Sequence, residues 1–306
     1  MFIVYGQHIL CFVPPESGSI AISMPYEQEI TMARPLWFVA LLKKTFPNRR
    51  MIALMTRVPL LGRLVDKMVF ENDDIIYLPK DSVVQKTIPI QKSVQRPVET
   101  VLPSQIVEHF IKKANYHWIM NFCICRSASK CKDYPIEYGC LFLGEASLMI
   151  NPQLGRRVTK EEALDYVRRC REAGLVHLIG RNKLDSMWLG AQPGNKLLTV
   201  CNCCPCCCLW KILPDLTPGI GRKITSMSGV HVKVTDRCEG CGTCTQGSCF
   251  VNAISLVDDR AVISKECRGC GRCVEVCPNK AIELTIDDPE YFEDSVRRIT
   301  AAVNVE

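Results

Sequence analysis

At 306 residues the chain is long enough for two or three domains and a real hydrophobic core. Its 20 cysteines far exceed ordinary usage, yet the chain is too long for a small disulfide-stapled scaffold, so metal ligation is the better reading of them. The net charge of +6 is modest and does not by itself imply nucleic acid.

The N-terminus begins apolar but carries neither a basic leader nor a small-residue cleavage site, which argues against a secretory signal. Residues 1–23 read as dispensable, with Met24 an alternative start to Met1. The run LWFVALL at 36–42 is far short of the ~20 apolar residues that span a bilayer. A cytoplasmic protein of a reducing, anaerobic cell is expected. Between 31 and 67 eight Lys or Arg stand against one acid, Asp66. Apolar residues there recur at helical spacing, interrupted by Pro47 and Pro59, and predict two or three short amphipathic helices. Their basic faces would be solvated, or would give peripheral contact with a membrane or an acidic partner.

Residues 75–103 alternate apolar and polar with several prolines and read as an extended connector. Ser104 is placed to N-cap a helix through Ala114. Thr159 and Glu162 form a capping box for a second helix that ends at Gly174 and carries Cys170 as a core residue. With LVHLIGRNK as a following strand, this region would suit a winged-helix-like lobe. Arg168, Arg169 and Arg171 lie close together, but such a patch is ordinarily a solvated helix face, and no nucleic acid is expected as a partner.

The cysteines bunch, with four in 123–140, six in 201–208 and eight in 238–277. The first group comprises Cys123, Cys125, Cys131 and Cys140; the second, CNCCPCCC, comprises Cys201, Cys203, Cys204, Cys206, Cys207 and Cys208 around Pro205. On an extended chain alternate residues face one way, so Cys201 would point with Cys203, and Cys204 with Cys206 and Cys208. Thiolates of this kind select Fe–S clusters, zinc or Cu(I), so these ten positions are candidate ligands of an additional site: a further Fe–S cluster, zinc, or a redox-active dithiol. Arg126 is a candidate anion contact there and His177 a candidate cluster neighbour.

In the C-terminal region CEGCGTC at 238–244 repeats as CRGCGRC at 267–273, and NAISL at 252–256 as NKAIEL at 279–284. The second copy, Cys267-x2-Cys270-x2-Cys273-x3-Cys277-Pro278, resembles the two-cluster bacterial ferredoxins, a likeness covering roughly the last fifth of the chain. The upstream layout is similar to uncharacterised cysteine-rich ferredoxin-like proteins of anaerobic bacteria and archaea. The ferredoxin resemblance implies two [4Fe–4S] clusters, one on Cys238, Cys241, Cys244 and Cys277, the other on Cys267, Cys270, Cys273 and Cys249. The first copy departs from the pattern: four residues, Thr245 to Ser248, separate Cys244 from Cys249 where three are usual, and Phe250 replaces the proline. Gly247 could absorb the extra residue, and Cys249 is the ligand the departure touches. An order of cysteines like the heterodisulfide-reductase cysteine-rich domain is set aside, because Pro205 stands where that motif has glycine.

The expected architecture is α+β: a basic helical segment and connector over 1–100, a mainly helical cysteine-rich domain over 101–228, a ferredoxin-type (βαβ)2 dicluster module over 229–288 and a tail over 289–306. The expected function is iron–sulfur electron transfer with a redox partner protein. The alternatives are a redox enzyme (oxidoreductase) acting at an upstream Fe–S site and a metal- or cluster-handling factor. Walker, dinucleotide, radical-SAM and serine-triad signatures are not apparent, and no catalytic residue is assigned.

Overall fold

The computed structural model of the chain describes residues 3–5, 8–10, 33–85 and 101–306; Cys11, Met24 and residues 86–100 of the expected connector lie outside the described residues. Strands β1 (Ile3–Tyr5) and β2 (His8–Leu10) pair antiparallel near the N-terminus.

Three short helices follow: α1 (Leu36–Thr45), α2 (Arg49–Met55) and α3 (Pro59–Val65). The prolines separate them as their chemistry requires. Pro47 falls in a single 3-10 turn, and Pro59 occupies the first helical position, where its missing N–H is not needed. The outward faces of these helices are apolar as much as basic, with Trp37 67% and Leu60 80% exposed. Two of the arginines turn back onto the protein: Arg50 pairs with Asp215 at 2.9 Å, and Arg57 donates to the carbonyls of Pro214 and Asp215.

Next come β3 (Asp74–Tyr77), β4 (Val84–Gln85), α4 (Ser104–Lys113), β5 (His117–Met120), α5 (Ile124–Ser129), β6 (Leu141–Leu143), β7 (Gly155–Arg157), α6 (Lys160–Glu172), β8 (Val176–Arg181), α7 (Lys183–Leu189), β9 (Leu198–Cys203), α8 (Pro218–Gly221) and β10 (Ile224–Ser226). Seven of the strands form one sheet in the order β10-β3-β8-β9-β6-β5-β7, antiparallel except for β10 beside β3. The expectation of a mainly helical middle domain is therefore corrected. The reason is burial on both faces: β5 and β6 are buried at every residue, so they show none of the alternation that marks a half-exposed strand. Ile76, Ile119, Leu141, Ile179 and Val200 face one core with α4 and α6, while Tyr77, Val176 and Leu178 face another with Phe70 and Trp210. The helix-then-strand pair α6 and β8 exists, but β8 is interior to the sheet, not the wing of a winged helix. β3, in the span read as connector, is a sheet strand as well.

The Thr159 capping box is present: the Glu162 N–H donates to Thr159 Oγ1 at 3.1 Å and the Thr159 N–H to Glu162 Oε2 at 2.8 Å. Ser104 does not cap α4 with its side chain. Its own N–H instead donates to Asp81 Oδ1 at 3.0 Å, so the helix start is capped by a carboxylate far upstream.

The C-terminal region runs β11 (Val230–Val234), a helical turn at 243–245, β12 (Ile254–Val257), β13 (Arg260–Ile263), α9 (Arg272–Val276) and β14 (Ile282–Ile286). β11 pairs antiparallel with β14, β12 with β13, and β4 adds to the far side of β14. Residues 289–306 are not a loose tail. They form α10 (Tyr291–Ala302), which buries Ile299, Val303 and Val305 in the core shared with α4 and α6. No helix among the described residues is long and apolar enough to cross a membrane.

Candidate metal centres

The two loops of the internal repeat each curl around a cavity. Cys238, Cys241, Cys244 and Cys277 line one, and Cys249, Cys267, Cys270 and Cys273 line the other. Each set thus takes three thiols from one loop and a fourth from the other copy. Backbone N–H groups already point at the sulfurs. Ala281 donates to Cys277 Sγ at 3.3 Å and Ala253 to Cys249 Sγ at 3.2 Å, both from four residues on, so Cys249 occupies in its loop the place Cys277 occupies in the other. Ala261 and Gly269 donate to Cys238 and Cys267. Four thiols and convergent amide donors around an apolar-walled cavity are a donor set that fits a cubane, whose potential such hydrogen bonds tune.

The irregular first copy is accommodated locally. Gly247 takes a left-handed φ of 75°, a conformation open to glycine, and its N–H donates to Thr245 O at 2.9 Å. Gly240, also left-handed, is needed for a second reason: a Cβ there would lie 2.2 Å from the carbonyl oxygen of Asp259. Phe250, standing in place of proline, is buried and packs its ring 5.7 Å from that of Tyr77.

Upstream, the ten thiols form two groups that meet at Cys204, which borders the cavity of the first and belongs to the second. Cys123, Cys125, Cys140, Cys201, Cys203 and Cys208 line a cavity of about 290 Å³ beneath α1–α3, with Leu42, Phe46, Ile52, Val69, Trp188 and Trp210 among its apolar walls. Cys140 and Cys201 lie 3.8 Å apart and Cys208 and Cys203 3.2 Å. The remaining four, Cys131, Cys204, Cys206 and Cys207, gather with all their sulfurs within 4.8 Å of one another. The alternation expected along CNCCPCCC holds for Cys201 with Cys203 and for Cys204 with Cys206 but fails beyond them: Cys207 joins Cys204 and Cys206, and Cys208 returns to Cys203. The strand ends at Cys203, and residues 205–207 form a turn at Pro205, so period two no longer applies.

Arg126 sits between the two groups with no exposed surface. Its guanidinium donates to Pro135 O and Asn202 O, each at 2.8 Å, and to Tyr138 O. Burial opposes its charge, while the Cys123 and Cys204 thiols more than restore it. His177 pairs in register with Asn202, on the sheet face opposite Cys201 and Cys203, so it is not part of the cavity wall. Burial pushes its imidazole down to about 4, which keeps it neutral. Cys170 is buried among α6 residues, its thiol pushed up to about 12 by that burial, and takes no place in either group.

Tyr77 is the residue that sequence reasoning passed over, since nothing in the apolar run IIYLP marks it. Its side chain is fully buried and its hydroxyl has no hydrogen-bond partner, an orphaned donor where buried groups are normally paired. Burial first, then the thiols of Cys208, Cys203 and Cys270, push the phenol well above its ordinary value. Tyr77 is thus close to thiols of both the upstream cavity and the second repeat loop. The second repeat loop and the helix that follows it are also tied to the upstream chain: the Lys80 N–H donates to Cys270 O at 3.3 Å, and Arg272 donates to Tyr134 Oη at 2.8 Å.

A family model described as a 4Fe-4S binding domain matches residues 261–283, the span that holds Cys267, Cys270, Cys273 and Cys277. No curated protein and no solved structure matches the chain. Residues 261–283 therefore form a ferredoxin-type 4Fe–4S binding region within a mixed α/β, cysteine-rich protein.

Proposed function

We propose that the chain is an iron–sulfur electron-transfer protein with two [4Fe–4S] clusters in a (βαβ)2 ferredoxin module and a third Fe–S centre in the upstream cavity. Cys238, Cys241, Cys244 and Cys277 hold the first cluster; Cys267, Cys270, Cys273 and Cys249 hold the second; ligands for the third come from Cys123, Cys125, Cys140, Cys201, Cys203 and Cys208. When bound, such clusters supply reversible one-electron exchange. The chain's own contribution is to hold the thiols, aim amide donors at them and keep water out.

The observation that carries this reading is a shared apolar core. Cys249, Cys267 and Cys270 of the second loop pack in one cluster of side chains with Cys201, Cys203 and Cys208 of the cavity, around Tyr77, Phe250 and Trp210. A dry, close-packed join between two thiol sites is what a conduit requires and what two independent metal sites do not. Cys241, exposed at the outer edge of the first set, gives a redox partner protein its point of approach.

Anaerobic reconstitution of the full chain, with iron and sulfide analysis and EPR of the reduced protein, tests the proposal. About twelve irons per chain and spin coupling of the upstream centre to the C-terminal clusters are expected, with that coupling and about four irons lost in Cys203→Ser/Cys208→Ser. A count of about eight irons that this double variant leaves unchanged would remove the third centre, and fewer than about eight would remove the pair of cubanes.

The cavity itself favours a second reading, in which a small apolar substrate is reduced beside the thiols. Its volume approaches the lower bound of ordinary ligand pockets and its walls are almost wholly apolar. An EPR signal from the upstream centre that shifts with such a molecule and disappears in Cys203→Ser would distinguish it from pure electron transfer.

A further inference from the structure

The CNCCPCCC segment serves two sites, and the second is built on a smaller scale than the first. Cys204, Cys206 and Cys207 surround the turn at Pro205 and meet Cys131, which follows α5 in sequence, with all four Sγ atoms within 4.8 Å of one another. Cys131 and Cys206 are 3.5 Å apart, and Cys206 and Cys204 are 3.4 Å apart. A tetrahedral zinc ion with Zn–S bonds of about 2.3 Å sets its sulfurs about 3.8 Å from one another, the edge of that tetrahedron. A cubane holds its thiolates wider, because each sulfur lies outside a separate iron. Among the described residues no other three Cys, His or carboxylate donors gather this closely, the two ferredoxin-type sets included. Disulfide bonding does not account for the group either: all four are free thiols, and a bonded pair would be only about 2.05 Å apart.

We infer that Cys131, Cys204, Cys206 and Cys207 form a closed tetrathiolate site for a single zinc ion, which ties the loop after α5 to the end of β9. Zinc fits on three grounds. The spacing is that of one ion. Four protein sulfurs complete a tetrahedron and leave no open position, the mark of a structural rather than a catalytic site. Four thiolates on a divalent ion also carry excess negative charge, and the fully buried Arg126, whose carbonyl accepts from the Cys131 N–H and whose guanidinium donates to Asn202 O two residues before Cys204, supplies a cation against the site. The turn is further pinned by Lys211, whose Nζ donates to Pro205 O at 2.9 Å. The site is redox-inert and independent of the electron-transfer reading: it stands or falls whether or not the neighbouring cavity holds a cluster.

The test is metal analysis of the full chain purified without oxygen, followed by exchange with Co(II). About one zinc per chain is expected beside the iron, and the Co(II) form should show the intense sulfur-to-metal and visible bands of a tetrahedral thiolate site. Cys131→Ala should lose the zinc and leave the EPR of the C-terminal clusters unchanged. Since that variant also removes a structural clamp, Cys131→His is the sharper probe: it preserves a tetrahedral donor set, so zinc should remain and the Co(II) bands should move to higher energy. Cys140→Ala should leave the zinc in place. Wild-type protein without zinc, iron in place of zinc at this site, or loss of about four irons and their sulfide in Cys131→Ala would overturn the assignment.

Discussion

Replacing Gly240 by alanine should cost the first repeat loop its cluster, whereas the same replacement at Gly247 should not. Both glycines are left-handed, with φ of 69° and 75°, so each substitution pays about 1–2 kcal/mol for placing an L-residue there. They differ in surroundings. The new Cβ at Gly240 would lie 2.2 Å from Asp259 O and 2.8 Å from Asp259 C, while nothing lies within 4 Å at Gly247. The obstacle at Gly240 is rigid backbone. Asp258 and Asp259 are themselves left-handed, at 46° and 54°, in the two-residue turn that closes the pairing of Val257 with Arg260. Relief needs a shift on the order of 1 Å in a tight hairpin, and overpacking of that kind adds about 1–3 kcal/mol. The total, about 2–5 kcal/mol, falls on the loop that carries Cys238, Cys241 and Cys244, and at about 1.4 kcal/mol per tenfold it lowers cluster retention by about one and a half to three and a half orders of magnitude. Parallel anaerobic reconstitution with iron, sulfide and EPR quantitation should show about four irons fewer in Gly240→Ala and a full complement in Gly247→Ala. Equal loss in both variants, or full iron in Gly240→Ala, would refute the steric argument.

Arg126→Met keeps most of the volume but removes the buried cation and the donors to three carbonyls, so it should destabilise the fold by about 3–5 kcal/mol and lower metal content at both upstream groups, read by thermal melting and metal analysis. Burial pushes the Asp73 carboxyl up to about 7 from its ordinary value of 3.8. The folded state therefore keeps a proton that the unfolded chain sheds: the contribution of this group to stability is highest below about pH 4 and declines as pH rises to about 7, by a total on the order of 4 kcal/mol. Asp73→Asn should remove this dependence, so its advantage over the parent in denaturant titrations should widen from about pH 5 to about pH 8; a constant gap would contradict it. Truncation after Asp288 removes α10 and with it the burial of Ile299, Val303 and Val305, at about 1.5–3 kcal/mol each, so the shortened chain should melt far below the parent, whereas a dispensable tail would leave the melting temperature unchanged.

Most local signals read true, the Ser104 cap and the full alternation of CNCCPCCC being exceptions, and non-local ones did not. The CxxCxxC repeats, the Thr159 capping box and the proline-separated helices are each written within a few residues, where spacing and backbone chemistry decide the outcome. The seven-stranded sheet is written nowhere locally, because strands buried on both faces read as short apolar runs without a period. The pairing of Cys131 with Cys204, Cys206 and Cys207 was hidden for the same reason: it depends on a turn at Pro205 and on a partner 75 residues upstream. α10 looked like a tail because its buried residues meet their partners only across the fold.

The departures from the ferredoxin pattern acquire a physical meaning once the packing is known. The regular copy, ending in Pro278, closes the cavity whose Cys241 is exposed, so nothing there has to be fitted to the rest of the protein. The irregular copy supplies Cys249 to the other cavity, the one that abuts the large sheet. There proline would offer a small ring and no reach. Phe250 instead sets an aromatic face against Tyr77, and Val251 and Ala253 extend the same core toward Cys203 and Cys208. The extra residue before Cys249 is absorbed at Gly247, where open space and a left-handed backbone allow it, without displacing Cys249 from its Ala253 amide. Deviation is thus concentrated where the module joins the upstream thiols. A Phe250→Pro variant that restores the ferredoxin pattern should accordingly keep both C-terminal clusters yet loosen the join, abolishing spin coupling to the upstream centre; undiminished coupling in that variant would show that the aromatic contact with Tyr77 is not what connects the two sites.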